Sequence, residues 1–447
     1  MDLAKGKLPY FLLLQMGGYS GRLYPVNPKY EEINGVKAYQ SINDLPGGID
    51  LAIVAAPVDE SLKIITTAVR KEIKFIHFFT SGFSEEGNHE SEKHLIEEAR
   101  KGVTRIVGPN CIGVHCPRSG ICFDIPSDGE MAENFAFISQ SGGTAINFKR
   151  MAESRKIGVN KAISYGNQID VKAEDYVEYF SEDDSIKVIA GYVEDLKDPR
   201  NFLRKLKKAT RKKPVVLFKG GMTREGAKAA ASHTGALASN YGIWSSAIRQ
   251  HGGILVENMH QVLDVAMIGS GKRVPSGPRV AFLGAGGGAA VSFTDIAVRG
   301  GLTLPELHGT TQERIKKKIR HVNTSTNNPV DLGVYGFDFE IMSHAIESIS
   351  CDGSIDVIIP YFSVDFIANL RDDQIERGPQ IVAEMVEKNE KPVVPIVAKY
   401  TEDNIDIEKV RIYICNTFRK AGLPVFSTIQ DAVYAIGTYL GWTLKVV

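Results

Sequence analysis

Residues 136–148 read AFISQSGGTAINF, and residues 281–293 read AFLGAGGGAAVSF. In both, a short apolar run ends in a small-residue, glycine-rich turn and passes into a stretch with helical patterning. The gapless match says that one device (strand, turn, helix) is used twice along the chain. Glycines let the backbone approach a ligand closely, and the free N–H groups and dipole at a helix start favour an anion. Taken singly, either turn is as well explained by glycines that pack a helix on its strand.

Working outward, runs of the same kind recur: IDLAIVAAP (49–57), IKFIHFFTSGF (73–83), TRIVGPNCIG (104–113), SIKVIAGYVED (185–195), KPVVLFKGG (213–221), IDVIIPYF (355–362) and KPVVPIVAKY (391–400). Apolar on both faces and alternating with charged helical stretches, they predict an α/β protein with parallel sheets covered by helices. Ligands of such sheets gather at the carboxyl ends of the strands, so residues just past each run are the ones to question. The polar stretch at 125–134 and the Gly/Ser/Pro-rich stretch at 269–278 read as domain joints.

Bulk composition narrows the classes. The chain of 447 residues has room for several cores, and its 53 Lys and Arg balance 53 Asp and Glu. That balance argues against a general nucleic-acid binder, and the basic run RKLKKATRKK (204–213) reads as a solvated helix face. The five cysteines lack C-x-x-C pairs, so no metal site is expected; reduced thiols in the cytoplasm are. YFLLLQM (10–16) is too short to span a bilayer, and no export signal is evident.

One histidine stands out. His233 lies in AAASHTGALASN (229–240), among residues small enough to leave its ring accessible. The sequence places it after the strand of KPVVLFKGG and before a helix opening near TGALASNYGIW. A lone histidine is more often structural, yet imidazole is a competent phosphoryl acceptor near neutral pH, and helix starts can hold the dianion that results.

GPNCIG (108–113), ISQSGG (138–143), YGNQIDV (165–171), YVED (192–195), SHTGALAS (232–239) and NNPVDLG (327–333) occur in that order. Together they resemble the α subunit of the nucleoside-diphosphate-forming acyl-CoA synthetases, relatives of succinyl-CoA synthetase. The resemblance implies a Rossmann-like CoA-binding domain over 1–127, a flavodoxin-like ligase domain over 128–275 and a second flavodoxin-like domain over 276–447. It makes His233 the phosphohistidine and Glu194 the carboxylate that orients its ring, with Asp195 the alternative for that task. Phosphate contacts fall to Ser141, Gly142, Gly143 and Thr144, and to Gly286, Gly287 and Gly288; Lys29, Pro57 and Asn110 fall at coenzyme A.

By the same resemblance the protein is an acid–thiol ligase subunit that interconverts acyl-CoA, ADP and phosphate with a carboxylic acid, CoA and ATP. GAGGGAAVS (284–292) is no P-loop, since no Lys and Ser or Thr follow its glycines. The implied partner is an ATP-grasp β subunit holding the Mg-nucleotide, in an α2β2 assembly. Relatives open with a strand and a glycine-rich turn at the CoA nucleotide, whereas this sequence opens in the helix that follows, so a truncated first domain is expected. A CoA-binding regulatory module without turnover, and a citryl-CoA-type ligase or lyase component, are the other readings.

Overall fold

The computed structural model describes residues 18–124, 132–234, 240–319 and 323–446, the side chains of 132–133, 231–234 and 445–446 excepted. The expected truncation falls on the opening segment, which lies outside the described residues. Two compact units form, residues 1–262 and 263–447.

In the first unit a small antiparallel pair, β1 (Glu32–Ile33) and β2 (Val36–Lys37), precedes a parallel sheet of β3 (Leu51–Val54), β4 (Phe75–Phe78) and β5 (Arg105–Val107). Helices Val58–Arg70 and His89–Ala99 make the crossovers. Ile65, Ala68, Ile76, Phe78, Leu95 and Ile106 fill the core between sheet and helices.

The chain then enters a six-stranded sheet built from β6 (Gly113–His115), β7 (Ala132–Ser139), β8 (Ile157–Ser164), β9 (Val188–Val193), β10 (Val215–Lys219) and β11 (Ile254–Val256). Its order is β11-β10-β9-β7-β8-β6, with only the edge strand β6 antiparallel. Strands β7 to β11 thus follow the flavodoxin-like order 2-1-3-4-5, which reverses direction between β7 and β9. β8, like the short β11, is missing from the apolar runs, in its case because Gly158, Asn160 and Lys161 interrupt it. Its polar side chains are satisfied from outside: Asn160 donates to Ser185 Oγ (3.3 Å) and Lys161 to Asp183 (2.7 Å).

The second unit repeats the plan with β12 (Val280–Gly284), β13 (Val330–Asp331), β14 (Val357–Ser363) and β15 (Ile396–Ala398), ordered β13-β12-β14-β15 and all parallel. β15 starts only at Ile396 because Pro392 and Pro395 in KPVVPIVAKY have no N–H to give the ladder. Ala281, Leu283, Ile358 and Phe362 form its core with the apolar sides of helices such as Phe339–Ser350.

Two histidines are buried in the first unit. His77 on β4 meets the Cys111 carbonyl (3.0 Å), and burial pushes its pKa down to about 4. Burial, and then the Lys149 charge, does the same to His115 on β6, also to about 4. Both rings are neutral when folded and take up a proton near 6.5 when unfolded, so their contribution is complete above pH 6.5 and is lost as pH falls towards 4. Each is worth about 3 kcal/mol over that window. The urea midpoint should therefore fall steeply between pH 6.5 and 4.5, above the range in which the depressed carboxylates Asp183 and Glu408, near 2, begin to titrate. A flat midpoint across that interval would contradict the assignment.

Candidate functional site

Strand order reverses between β7 and β9, and in sheets of this kind ligands gather at that place, at the carboxyl ends of the strands. Gln140, just past β7, is buried, and its Oε1 accepts from the backbone N–H of Glu194 (2.9 Å) and of Asp195 (2.8 Å) past β9. Glu194 is only 8% exposed. Its Oε2 is buried and has no hydrogen-bond partner among the described residues. An acceptor without a donor in such a place is costly, which marks this oxygen as waiting for an N–H or O–H. Asp195 differs: it is half-buried and lies 3.8 Å from Lys197 Nζ.

β10 closes the other side of Glu194. Lys219 Nζ is buried and donates to the carbonyls of Glu194 (2.6 Å) and Gly220 (2.5 Å), while lying 5.8 Å from the centre of the Trp244 ring. Burial lowers its pKa, against the pull of Asp195 and Glu194. Burial and the Glu194 charge raise that of Tyr192, whose hydroxyl hydrogen-bonds Glu194. Gly220 leaves the space both need, since a Cβ there would stand 2.5 Å from Tyr192 Oη and 3.1 Å from Glu194 Cγ.

Ser141 caps helix Gly142–Ser154, its hydroxyl accepting from Thr144 N–H (3.3 Å). Gly143 is exposed with open space where a side chain would stand, and a Cβ on Gly142 would meet Ile112 Cγ2 at 2.9 Å. Ile112 belongs to GPNCIG, so the first sheet's last loop abuts this helix start. Asn110 in that loop has left-handed backbone (φ 57°), and its side chain donates to Asn167 Oδ1 (3.5 Å). Asn110 N–H donates to the Thr80 carbonyl (2.9 Å), and Thr80 Oγ1 to the Ala56 carbonyl (2.5 Å), which links the loop of Pro57. Lys29, by contrast, is exposed and is tied to this cluster by none of these bonds.

Sequence reasoning assigned no role to Asn167, although it stands inside YGNQIDV. Its side-chain amide donates to Glu85 (2.5 Å) and Glu92 (2.6 Å), holding the first sheet's turn Ser84–Glu86 against the β8 loop. Gly166 makes the approach possible: at φ 50°, a Cβ would lie 2.2 Å from the Pro109 carbonyl oxygen and 2.3 Å from that of Asn110. Backbone cannot yield as a side-chain end can. Gly166→Ala should cost about 3 kcal/mol or more in urea unfolding and weaken CoA binding; unchanged stability would show that the two loops do not need this contact.

His233 lies in helix Arg224–Thr234, and its side chain is outside the described residues. A helix does open within TGALASNYGIW, at Tyr241, but His233 does not lie in a loop ahead of it: an earlier helix already holds it. Helix begins a turn after β10, where Thr223 Oγ1 accepts from Gly226 N–H (3.0 Å), and AKAAA has strong helix propensity. A separate helix, Tyr241–Gln250, is capped by Asn240. Helix Arg224–Thr234 approaches the turn Ser84–Glu86 of the first sheet.

In the second unit Gly286 (φ 96°) caps helix Gly287–Arg299, and Gly286, Gly287 and Gly288 are all exposed. One donor is already used: Gly286 N–H gives its hydrogen bond to Asp331 Oδ1 (3.0 Å), which also accepts from Gly333 N–H (2.9 Å). Beside this turn, at the end of β14, the Ser363 hydroxyl is buried and without a partner among the described residues.

A CoA-type domain followed by a flavodoxin-like domain, joined at a carboxylate and a capped glycine turn, defines an acid–thiol ligase subunit. Residues 6–117 match a family described as CoA binding domain, and residues 132–268 one described as succinyl-CoA ligase like flavodoxin domain. The α subunit of acetate–CoA ligase (ADP-forming) II of Pyrococcus furiosus is 33% identical over 96% of this chain and 93% of that protein. The corresponding ligase I α subunit of the same organism is 30% identical over 98% and 94%. The solved acetyl-coenzyme A synthetase 1 of Candidatus Korarchaeum cryptofilum, in complex with phosphate and ADP, superposes with a TM-score of 0.87 at 26% identity, covering 98% of this chain and 92% of that one. The chain belongs to the family of α subunits of the ADP-forming acyl-CoA ligases, for which CoA is a substrate. The family's subunit naming implies a β partner. Of the ADP-forming acetate–CoA ligase of Methanocaldococcus jannaschii it spans 46%. Among the described residues, no helix is long and apolar enough to cross a membrane.

Proposed function

We propose that this chain carries the acyl- and phosphoryl-transfer half of the ligase, with His233 as the covalent carrier. Phosphate displaces CoA from acyl-CoA to give acyl phosphate; the His233 ring takes the phosphoryl group and releases the carboxylate; ADP accepts it from the ring and becomes ATP. Splitting the transfer in two lets thioester and nucleotide sites remain apart.

The observation that supports this reading is Glu194 Oε2, buried without a donor among the described residues, on a backbone that Gln140 ties to the segment leading into a capped helix start. A carboxylate so held accepts an imidazole N–H, selects the tautomer whose other nitrogen attacks, and stabilises the charged ring. Ser141, Gly142 and Gly143 offer the phosphoryl oxygens N–H groups, and Thr144, whose own N–H is held by the Ser141 cap, offers its hydroxyl. Gly286, Gly287 and Gly288 are a second turn of the same kind. Lys29 attracts a phosphate of CoA, Pro57 shapes the pantetheine turn, and Asn110 stands under the thiol end.

The partner in this reading is an ATP-grasp β subunit that binds the Mg-nucleotide, in a cytoplasmic α2β2 assembly, and the domains divide as 1–127, 128–275 and 276–447. The acid is a small carboxylate. Relatives are named for acetate and, in Nitrosopumilus maritimus, for 4-hydroxybutyrate, so the panel to test starts with those two. Full-length chain incubated with labelled phosphate and each acyl-CoA should acquire acid-labile, base-stable label. No label with any member of the panel would refute the proposal.

A further inference from the structure

We infer that the first unit carries a second anion site, for a small ligand with a chain of phosphates, on helix Pro199–Ala209. Arg200, Leu203, Arg204, Lys207, Lys208, Arg211 and His251 line one cleft of about 480 Å³. That is the size of a small-molecule site, roughly 300–1,000 Å³. No carboxylate lines it, and among the described residues none of its five Lys and Arg side chains is paired with an Asp or Glu; Arg204 donates to Asn201 (2.7 Å).

Charge placement elsewhere shows how unusual this face is. On other exposed helices a cation meets a carboxylate three or four residues away, as in Lys63–Glu60, Lys93–Glu97, Lys316–Glu313 and Lys409–Asp406. Among the described residues helix Pro199–Ala209 has no such pair; its Lys205 instead bonds Asp175 and Glu178 of helix Ala173–Glu182. On the cleft face Arg200 and Arg204, and Arg204 and Lys208, are like charges four apart, each pair unfavourable by about 0.2–0.5 kcal/mol. The helix dipole accounts for Lys207 and Lys208 in the last turn, but it disfavours Arg200 in the first. A bound polyanion converts each of these repulsions into attraction.

The cleft is also built rather than incidental. Thr210 Oγ1 donates to the His251 carbonyl (2.8 Å), locking together the ends of helices Pro199–Ala209 and Tyr241–Gln250. The His251 ring is fixed by its Nδ1–H, which donates to the Ala247 carbonyl (2.7 Å). These helix ends lead into the amino ends of β10 and β11, opposite the strand ends that hold Glu194. From Arg200 to Lys208 the cations extend over roughly 12 Å of helix, more than one phosphate can occupy, and Leu203 with the alkyl stems offers an apolar floor. The shared chemistry is a phosphate chain, free or borne by a nucleotide.

The test is titration calorimetry on the full-length chain with ATP, ADP, tripolyphosphate and pyrophosphate, with sulfate at matched ionic strength as control. Arg204→Glu/Lys208→Glu should weaken phosphate-chain binding at least about tenfold. Its melting temperature should stay level or rise, because Arg200 then faces a carboxylate; Arg204→Gln/Lys208→Gln guards against misfolding. Nucleotides binding more tightly than tripolyphosphate would identify a nucleotide as the ligand, and equal affinities the bare chain. Binding that is absent for every compound, or unchanged in both double variants, overturns the inference. His233→Asn should bind as wild type does, which separates this site from the phosphohistidine reading.

Discussion

His233→Asn is expected to leave the fold intact and to abolish labelling of the chain by acyl-CoA and phosphate, with ligase turnover in the complex falling by at least about 10⁴-fold. The asparagine amide is close to imidazole in size and offers an N–H to Glu194, so positioning survives while the nucleophile is lost. The backbone there is helical, at the end of Arg224–Thr234, and Asn is tolerated near a helix terminus. Wild-type urea unfolding together with zero label is the informative combination. Label retained by the variant would exclude His233 and send the search to other histidines.

Glu194→Gln should reduce the rate of phosphoenzyme formation by about 10²–10⁴-fold. The substitution keeps the volume and the Tyr192 contact, but the amide gives the site an N–H where an acceptor is required, and it removes the negative charge that balances a charged ring. Lys219, which lies against the Glu194 carbonyl rather than its carboxylate, keeps its hydrogen bonds in the variant. Equilibrium binding of acyl-CoA should be unaffected, so the loss belongs to the chemical step. Asp195→Asn is the control: its carboxylate lies near Lys197, and the rate should change less than about threefold. If the two variants behave alike, the unpaired oxygen is not the functional one.

Much of this was legible in the chain. Continuous apolar runs, each followed by Gly, Ser, Asn or Pro, specify parallel strands because a doubly covered strand needs apolar residues on both faces. Eight-residue β8 escaped because its polar residues are satisfied by Ser185 and Asp183, partners that no local pattern announces. The helix of His233 escaped for another reason: its alanines were read as making room, whereas their low side-chain entropy cost also makes them strong helix formers. Asn167 was visible as part of a motif, but its task of bridging Glu85 and Glu92 depends on residues about eighty positions earlier.

The order of motifs by itself determined the class of sheet, the two glycine turns and the short list of side chains worth testing. Tertiary structure decided which of two adjacent strand-end carboxylates stands buried, with one oxygen that no donor among the described residues meets. Glu194 and Asp195 carry the same local signal, and their difference arises from Gln140 past β7 and Lys219 and Gly220 at β10, neighbours brought in by the sheet. Pairing between strands distant in sequence sets burial, and burial is what turns a surface acid into one that must find a proton donor.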